Sequence, residues 1–199
     1  MKLVAVLAAL GLANAAAGPA AAAPQRFLLD TGSSELSYDV RTKVFLLLDE
    51  DVVGLARPSE GELVVEEAKA AGWLVLPAAS FRSGVGSRDK HIAEILDARR
   101  FPRIRFDLDA LTGFDPAAAS GQATVTGRLQ VRDRTVPLKF PVTYRAGEGR
   151  IVLEGSAAVT FSAFGIAPPI LGIIAKRAPD ALVLRARLAW SAAETRAAR

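Results

Sequence analysis

The chain has 199 residues, no cysteine and a single histidine, His91, and its 25 Lys and Arg outnumber its 21 Asp and Glu by four. These counts exclude disulfides, thiolate catalysis, iron–sulfur clusters and cysteine-attached haem, and one histidine cannot build a two-histidine metal or haem site or a triad with a second histidine. The small basic excess is not gathered with aromatics on one face, as nucleic-acid binding requires, so nucleic acid is not an expected partner, although weak attraction to anionic lipid headgroups is allowed.

Met1 to Ala23 has the layout of a secretory signal: Lys2 as the positive start, an apolar run from Leu3 to Leu12, and small-residue sites at Ala13-Asn14-Ala15 or Ala21-Ala22-Ala23. The run is well short of the ~20 residues that a membrane-spanning helix needs. Pro24 is a poor residue directly after the second site, so cleavage is expected near Ala15, with an uncleaved alanine-rich leader as the alternative. A cleaved leader places the protein in the periplasm or outside the cell. It leaves roughly 175 to 185 residues, enough for one domain, assigned to 24–192 with a polar tail at 193–199.

Downstream, apolar residues recur at every second position, the period of a strand with one buried and one wet face. Thr31-Gly32-Ser33-Ser34 predicts a turn, and Leu36, Tyr38 and Val40 alternate with Glu35, Ser37, Asp39 and Arg41. Asp49-Glu50-Asp51 lacks the alternating ligands and glycine of a calcium loop and reads as a solvated turn. Glu62–Glu66 and Trp73–Phe81 read as two less regular strands; Glu66 and Glu67, adjacent on a strand, point to opposite faces and form no acid–base pair. From Ser87 to Arg100 the period changes. Ile92, Ile95 and Leu96 fall at helical spacing behind a Ser87 N-cap, with Asp89 in the first turn and Pro102 forcing Phe101 out of the helix.

Period-two alternation then returns. Ile104, Phe106 and Leu108 oppose Arg103, Arg105, Asp107 and Asp109, while Val125, Leu129 and Val131 oppose Thr124, Thr126, Arg128 and Arg132. Leu138, Phe140, Val142 and Tyr144 follow, then Ile151, Leu153, Ala157, Val159 and Phe161, and last Leu182, Leu184, Ala186, Leu188 and Trp190. Turn signals at Gly113 to Gly121 and Gly147-Glu148-Gly149 separate them. About eight antiparallel strands with one apolar face each must form a sandwich or a barrel. Strands of about eight to ten residues run to roughly 30 Å, and an eight-stranded barrel can hold one small ligand.

Ser83-Gly84 and Arg88-Asp89-Lys90-His91-Ile92, followed by Phe101-Pro102-Arg103-Ile104-Arg105-Phe106, resemble the signature of the YceI-like family. Gly127-Arg128-Leu129, Pro137-Leu138-Lys139-Phe140-Pro141-Val142 and Phe164-Gly165-Ile166 extend the resemblance from about Phe27 to Trp190. It implies an all-β fold, an eight-stranded antiparallel lipocalin-like barrel with one short helix. It also implies an exported carrier with an elongated apolar pore for a polyisoprenoid or other long-chain amphiphile. The chain departs from the family at Ser33-Ser34 and Thr42, where histidines are common, at Phe161-Ser162-Ala163 in place of Arg-Ser-Asp, and at Asp133 in place of a turn glycine. These changes remove polar groups that could receive a headgroup.

The candidate ligand contacts are Leu36, Tyr38, Val40, Phe106, Leu129, Phe140, Tyr144, Phe161, Phe164, Ile170 and Trp190, on predicted inner faces or beside the mouth. Side chains of this kind also fill dry barrels, but Gly127, Gly155, Ala157 and Ala186 on the same faces argue for room inside. Arg88, Asp89 and His91 are expected at one rim, organising the helix start, with headgroup contact as the alternative. The apolar Gly165–Ile174 segment, with Pro168-Pro169 inside it and Lys176-Arg177 after it, reads as a flap that touches a membrane during lipid exchange, or as a fixed plug. No nucleophile, metal set or cofactor loop is legible. The reading is therefore a lipid carrier with no cofactor, with a filled, ligand-free structural module as its rival.

Overall fold

A computed structural model describes residues 23–44, 48–171 and 176–193, the side chains of 41–52 and 170–177 excepted. The expected leader, save Ala23, and the tail beyond Ala193 lie outside these residues. Each alternating run becomes a strand whose apolar members face one interior. The strands are β1 (Gln25–Leu29), β2 (Glu35–Val44), β3 (Leu48–Ala56), β4 (Glu60–Glu66), β5 (Lys69–Pro77), β6 (Arg103–Thr112), β7 (Ser120–Val131), β8 (Arg134–Gly147), β9 (Arg150–Thr160), β10 (Ile170–Leu171), β11 (Lys176–Arg177) and β12 (Ala181–Ala192). Helix α1 (Gly86–Ile95) stands between β5 and β6.

Antiparallel pairing runs β1-β4-β5-β6-β7-β8-β9-β12 and closes through β1 and β12, with β2 and β3 continuing beside β12. One edge of β12 pairs first with β2, from Val183↔Asp39 to Arg187↔Glu35, and then with β1, from Leu29↔Trp190 to Phe27↔Ala192. β1 and β2 are thus one bent strand, and β3 and β4, which pair with β2 and β1, are the next. The result is a closed eight-stranded antiparallel barrel with a single short helix. At the bend, the Ser34 hydroxyl donates to the Ala189 carbonyl at 3.3 Å and accepts from the Ala189 N–H at 3.0 Å, so a side chain completes the ladder where the backbone departs from it.

The two ends of the barrel are built differently. At one end every neighbouring strand is laddered, and Phe27, Leu63, Val65, Leu111, Phe114, Tyr144 and Ile151 pack into a buried cluster. At the other end two seams interrupt the sheet. Among the described residues the outer edge of β3 carries only the isolated bridge Leu55↔Arg82, and β8 pairs with β9 only from Val142 onward. Pro137 and Pro141 fall in the stretch of β8 before that point, as expected of residues with no N–H to donate. The 78–102 segment with α1 packs Phe81, Ile95 and Leu96 at this end, and the 161–166 turn packs Phe161, Phe164 and Ile166 there.

Several sequence expectations change. Asp49-Glu50-Asp51 lies in β3 and not in a turn, opposite Lys43, Thr42 and Arg41 in register, because the β2–β3 ladder continues through this run. Glu67 is in the left-handed turn between β4 and β5, with φ 55°, so it and Glu66 are not strand neighbours. β5 begins at Lys69 and ends at Pro77, leaving Phe81 in the covering segment. Ser87 is not the N-cap. Asp89 accepts hydrogen bonds from the Ser83 N–H at 2.8 Å and the Ser83 hydroxyl at 2.6 Å, so the chain turns at Gly84 (φ 79°) and the helix starts at Gly86 behind Val85. It ends at Ile95, since Asp97 adopts φ 47°, and Arg99 and Arg100 lie beyond it.

Candidate functional site

A dry barrel buries its inward side chains. Here Leu36, Phe106, Leu138, Phe140, Leu182, Leu184 and Leu188 all face the interior yet keep accessible surface. They border two apolar chambers, whose room for the centres of water-sized spheres is about 110 Å³ in the first and about 160 Å³ in the second. Both chambers share Leu36, Leu76, Ile104, Leu129 and Leu184. These five residues line the place where the two chambers of one elongated pore meet.

The inner chamber is walled by Phe106, Phe140, Leu188 and Trp190 among others, over the fully laddered end. Ala157 and Ala186, on neighbouring strands β9 and β12, leave part of its wall low. The glycines act differently from expectation. A Cβ on Gly127 would meet the Phe106 ring and one on Gly155 would meet Val142, so both let neighbouring side chains lie flat; Gly155 lines the inner chamber and Gly127 lines neither. The Trp190 indole Nε1, a donor-only atom, is buried without a hydrogen-bond partner among the described residues.

The outer chamber is lined by Tyr38, Val40, Phe81, Ile92, Ile95, Phe161, Phe164 and Ile166, with Arg88 and His91 also in its wall. Tyr38 is 8% exposed. Its ring lies over Gly54 on β3, where any Cβ would overlap it, and stands edge-on to Phe81 at 5.6 Å. The hydroxyl has no hydrogen-bond partner, and burial pushes its pKa above the ordinary phenol value. Opposite, the turn after β9 is pinned by Asp180. The Ser162 N–H donates to its carboxylate at 2.9 Å, the Ser162 hydroxyl also donates to that carboxylate, and the Phe161 N–H donates to its carbonyl at 2.9 Å. Gly165, at φ 66°, ends this turn. Phe161 and Phe164 are thereby directed into the outer chamber.

Of the expected contacts, Phe106, Phe140 and Trp190 line the inner chamber, Tyr38, Val40, Phe161 and Phe164 the outer, and Leu36 and Leu129 both. Tyr144 lines neither. It sits in the sealed end, edge-on to Phe114 at 4.9 Å, and its hydroxyl accepts a hydrogen bond from the Asp115 N–H at 3.2 Å. The Ile170 backbone belongs to β10, paired with Arg177, but its side chain lies outside the described residues, as do 172–174 of the expected flap. Ile166 and Pro169, from the start of that segment, line the outer chamber. Asp89 ties the helix start, its carboxyl held below the usual range first by the Ser83 hydroxyl and then by the Ser83 N–H. Sequence reasoning missed Leu76, Ile104 and Leu184 where the chambers meet and Phe81, Ile92 and Ile95 on the covering segment. Ile104 and Leu184 had the period-two signal, whereas Leu76 sits in a continuous apolar run; the last three had only helical or irregular spacing to announce them.

Among the described residues no group of three His, Cys, Asp or Glu could hold a metal ion, and no helix is long and apolar enough to cross a membrane. The pore offers contact area with few polar handles. The model of the YceI-like domain matches residues 27–186. The chain belongs to the YceI-like family. Among solved structures it is similar to BcnA from Burkholderia cenocepacia, with 18% identity, a TM-score of 0.64 and coverage of 81% of this chain and 98% of that one. It is also similar to a polyisoprenoid binding domain from Saccharophagus degradans implicated in plant cell wall breakdown, with 13% identity, a TM-score of 0.65 and coverage of 84% and 98%. The Campylobacter jejuni YceI protein follows at 16% identity, a TM-score of 0.58 and coverage of 77% and 91%. At these identities the likeness is one of fold. No curated protein matches the chain.

Proposed function

We propose that this YceI-like protein is a non-enzymatic, exported carrier that sequesters the apolar tail of a long-chain lipid, such as a polyisoprenoid, a quinone or a fatty acyl compound, in its two-chambered pore. The observation that carries the reading is the hollow wall: inward Leu, Phe and Ala side chains retain accessible surface around chambers whose lining is nearly all hydrocarbon. Similarity to the Saccharophagus polyisoprenoid binding domain supports it. Each methylene that leaves water for such a wall contributes roughly 0.8 kcal/mol. Leu36, Tyr38, Val40, Phe106, Leu129, Phe140, Phe161, Phe164 and Trp190 are assigned to the tail, and Arg88 and His91 stand where the lipid's polar end leaves the outer chamber. Exchange with a membrane surface occurs at that end.

Organic extraction of gently purified protein followed by mass spectrometry tests the carrier reading, with near-stoichiometric lipid as the expected result. Repeated absence of lipid, together with no displacement of a fluorescent lipid probe, overturns it in favour of a ligand-free module. Export follows from the Lys2 start, the Leu3–Leu12 run and the small-residue sites. N-terminal sequencing of envelope-fraction protein is expected to begin downstream of Ala15, and full-length protein confined to the cytosol removes that part of the proposal.

A further inference from the structure

We propose that the ring of Leu36, Leu76, Ile104, Leu129 and Leu184, where the two chambers meet, narrows the pore into a gauge for chain length and cross-section, admitting only an extended tail to the inner chamber. This rests on the carrier reading. The five residues come from β2, β5, β6, β7 and β12, so they surround the pore from most of its wall. All five are branched aliphatics, and none offers a hydrogen bond. Leu76, Ile104 and Leu129 are 3%, 8% and 8% exposed, held by the surrounding core, whereas Leu36 and Leu184 on neighbouring strands keep surface toward the pore. The gate therefore has three fixed sides and two that can yield, with pore volume on both sides of it.

Its position sets the lengths it can distinguish. On β12 the inner chamber runs from Leu184 to Trp190, about 20 Å along a strand and about 15 Å along the axis of a barrel with strands tilted near 40°. An extended chain advances about 1.2 Å per bond, as a polypeptide backbone does, so roughly a dozen terminal chain bonds lie beyond the ring. On β2 the outer chamber runs from Leu36 to Val40, about 14 Å along the strand, which takes roughly eight or nine bonds before the chain must pass the gate.

The test uses the full-length protein after lipid extraction, with saturated fatty alcohols of increasing length displacing a fluorescent lipid probe. The unaltered protein is expected to gain about fourfold in affinity per added methylene up to the length that fills both chambers. Leu184→Phe extends into open pore and narrows the gate; its gain should continue only to the length of the outer chamber and then stop. If Leu184→Phe unfolds, as judged by its thermal melt, Leu36→Phe makes the same closure from the neighbouring strand. A folded variant of either kind that keeps the parent's gain across the whole series overturns the gauge and leaves the carrier reading standing. A parent that binds no alcohol overturns both.

Discussion

The sealed end and the open end of this barrel are made from the same chain and the same period-two pattern, yet they hold together in different ways. At the sealed end each strand is bonded on both sides, and Leu63 has no exposed surface at all. At the open end the sheet is interrupted beside β3 and beside β8, and side chains from a helix and a turn cover the gaps. Backbone ladders fix geometry along every residue; the cover of Phe81, Ile92, Ile95 and Phe161 rests on apolar contact and a few point ties, the Leu55–Arg82 bridge and the hydrogen bonds to Asp180 among them. Regions of the second kind open at lower free energy than laddered ones. Such a cover suits the carrier proposed above, because it can move aside without breaking the barrel.

The difference between the two ends should show most at Leu63. Leu63→Ala should cost about 2–5 kcal/mol, since it leaves a void in a close-packed cluster, whereas Leu184→Ala, already facing open space, should cost no more than about 1–2 kcal/mol. Urea melts of the two variants decide it, and equal costs would mean the two ends are packed alike. Next comes Gly54→Ala. The added methyl overlaps the Tyr38 ring, so the ring must move, and a loss of about 1–3 kcal/mol is expected; a fluorescent lipid probe should report altered binding in the outer chamber at the same time. Phe161→Arg exchanges an apolar contact for a charge at the outer chamber, where it must find a partner or reach the rim. Affinity for a neutral polyprenyl lipid should fall roughly tenfold, while that for a fatty acid falls less and becomes salt-dependent. The smallest effect is expected at Ser83. Asp89 has a carboxyl lowered by the Ser83 hydroxyl and N–H, so its contribution is present above the unfolded carboxylate pKa and is lost as pH falls through the lowered folded value. Ser83→Ala weakens that dependence. Melting temperatures of variant and parent should differ near neutrality and converge in acid; a constant difference at every pH would assign the effect to something other than Asp89.

Most of the barrel was legible because β6, β7, β8, β9 and β12 each bury one face and wet the other, which writes the period directly into the residues. β1 was not, since it has five residues and buries only Phe27. β3 was hidden by its acidic run, whose partners Arg41 and Lys43 are supplied by another strand and are not visible locally. The inner-wall residues shared the strand signal and were found in part. Phe81, Ile92 and Ile95 were not, because which segment covers a seam depends on where the chain crosses the barrel's open end and not on any local pattern. Tyr144 shows the converse: it has the right period and faces inward, but lies too near the sealed end to meet the pore.

Pro137 and Pro141 stand on β8 where that strand has no partner in β9. A strand edge left free is a template on which other chains can add themselves, the usual route from an incomplete sheet to aggregation. A residue with no N–H cannot complete that pairing for a stranger any more than for a neighbour in its own barrel. Two prolines on one short stretch thus let the vessel keep an unfinished wall at its entrance without turning that wall into a nucleus for fibres, even when the pore stands empty.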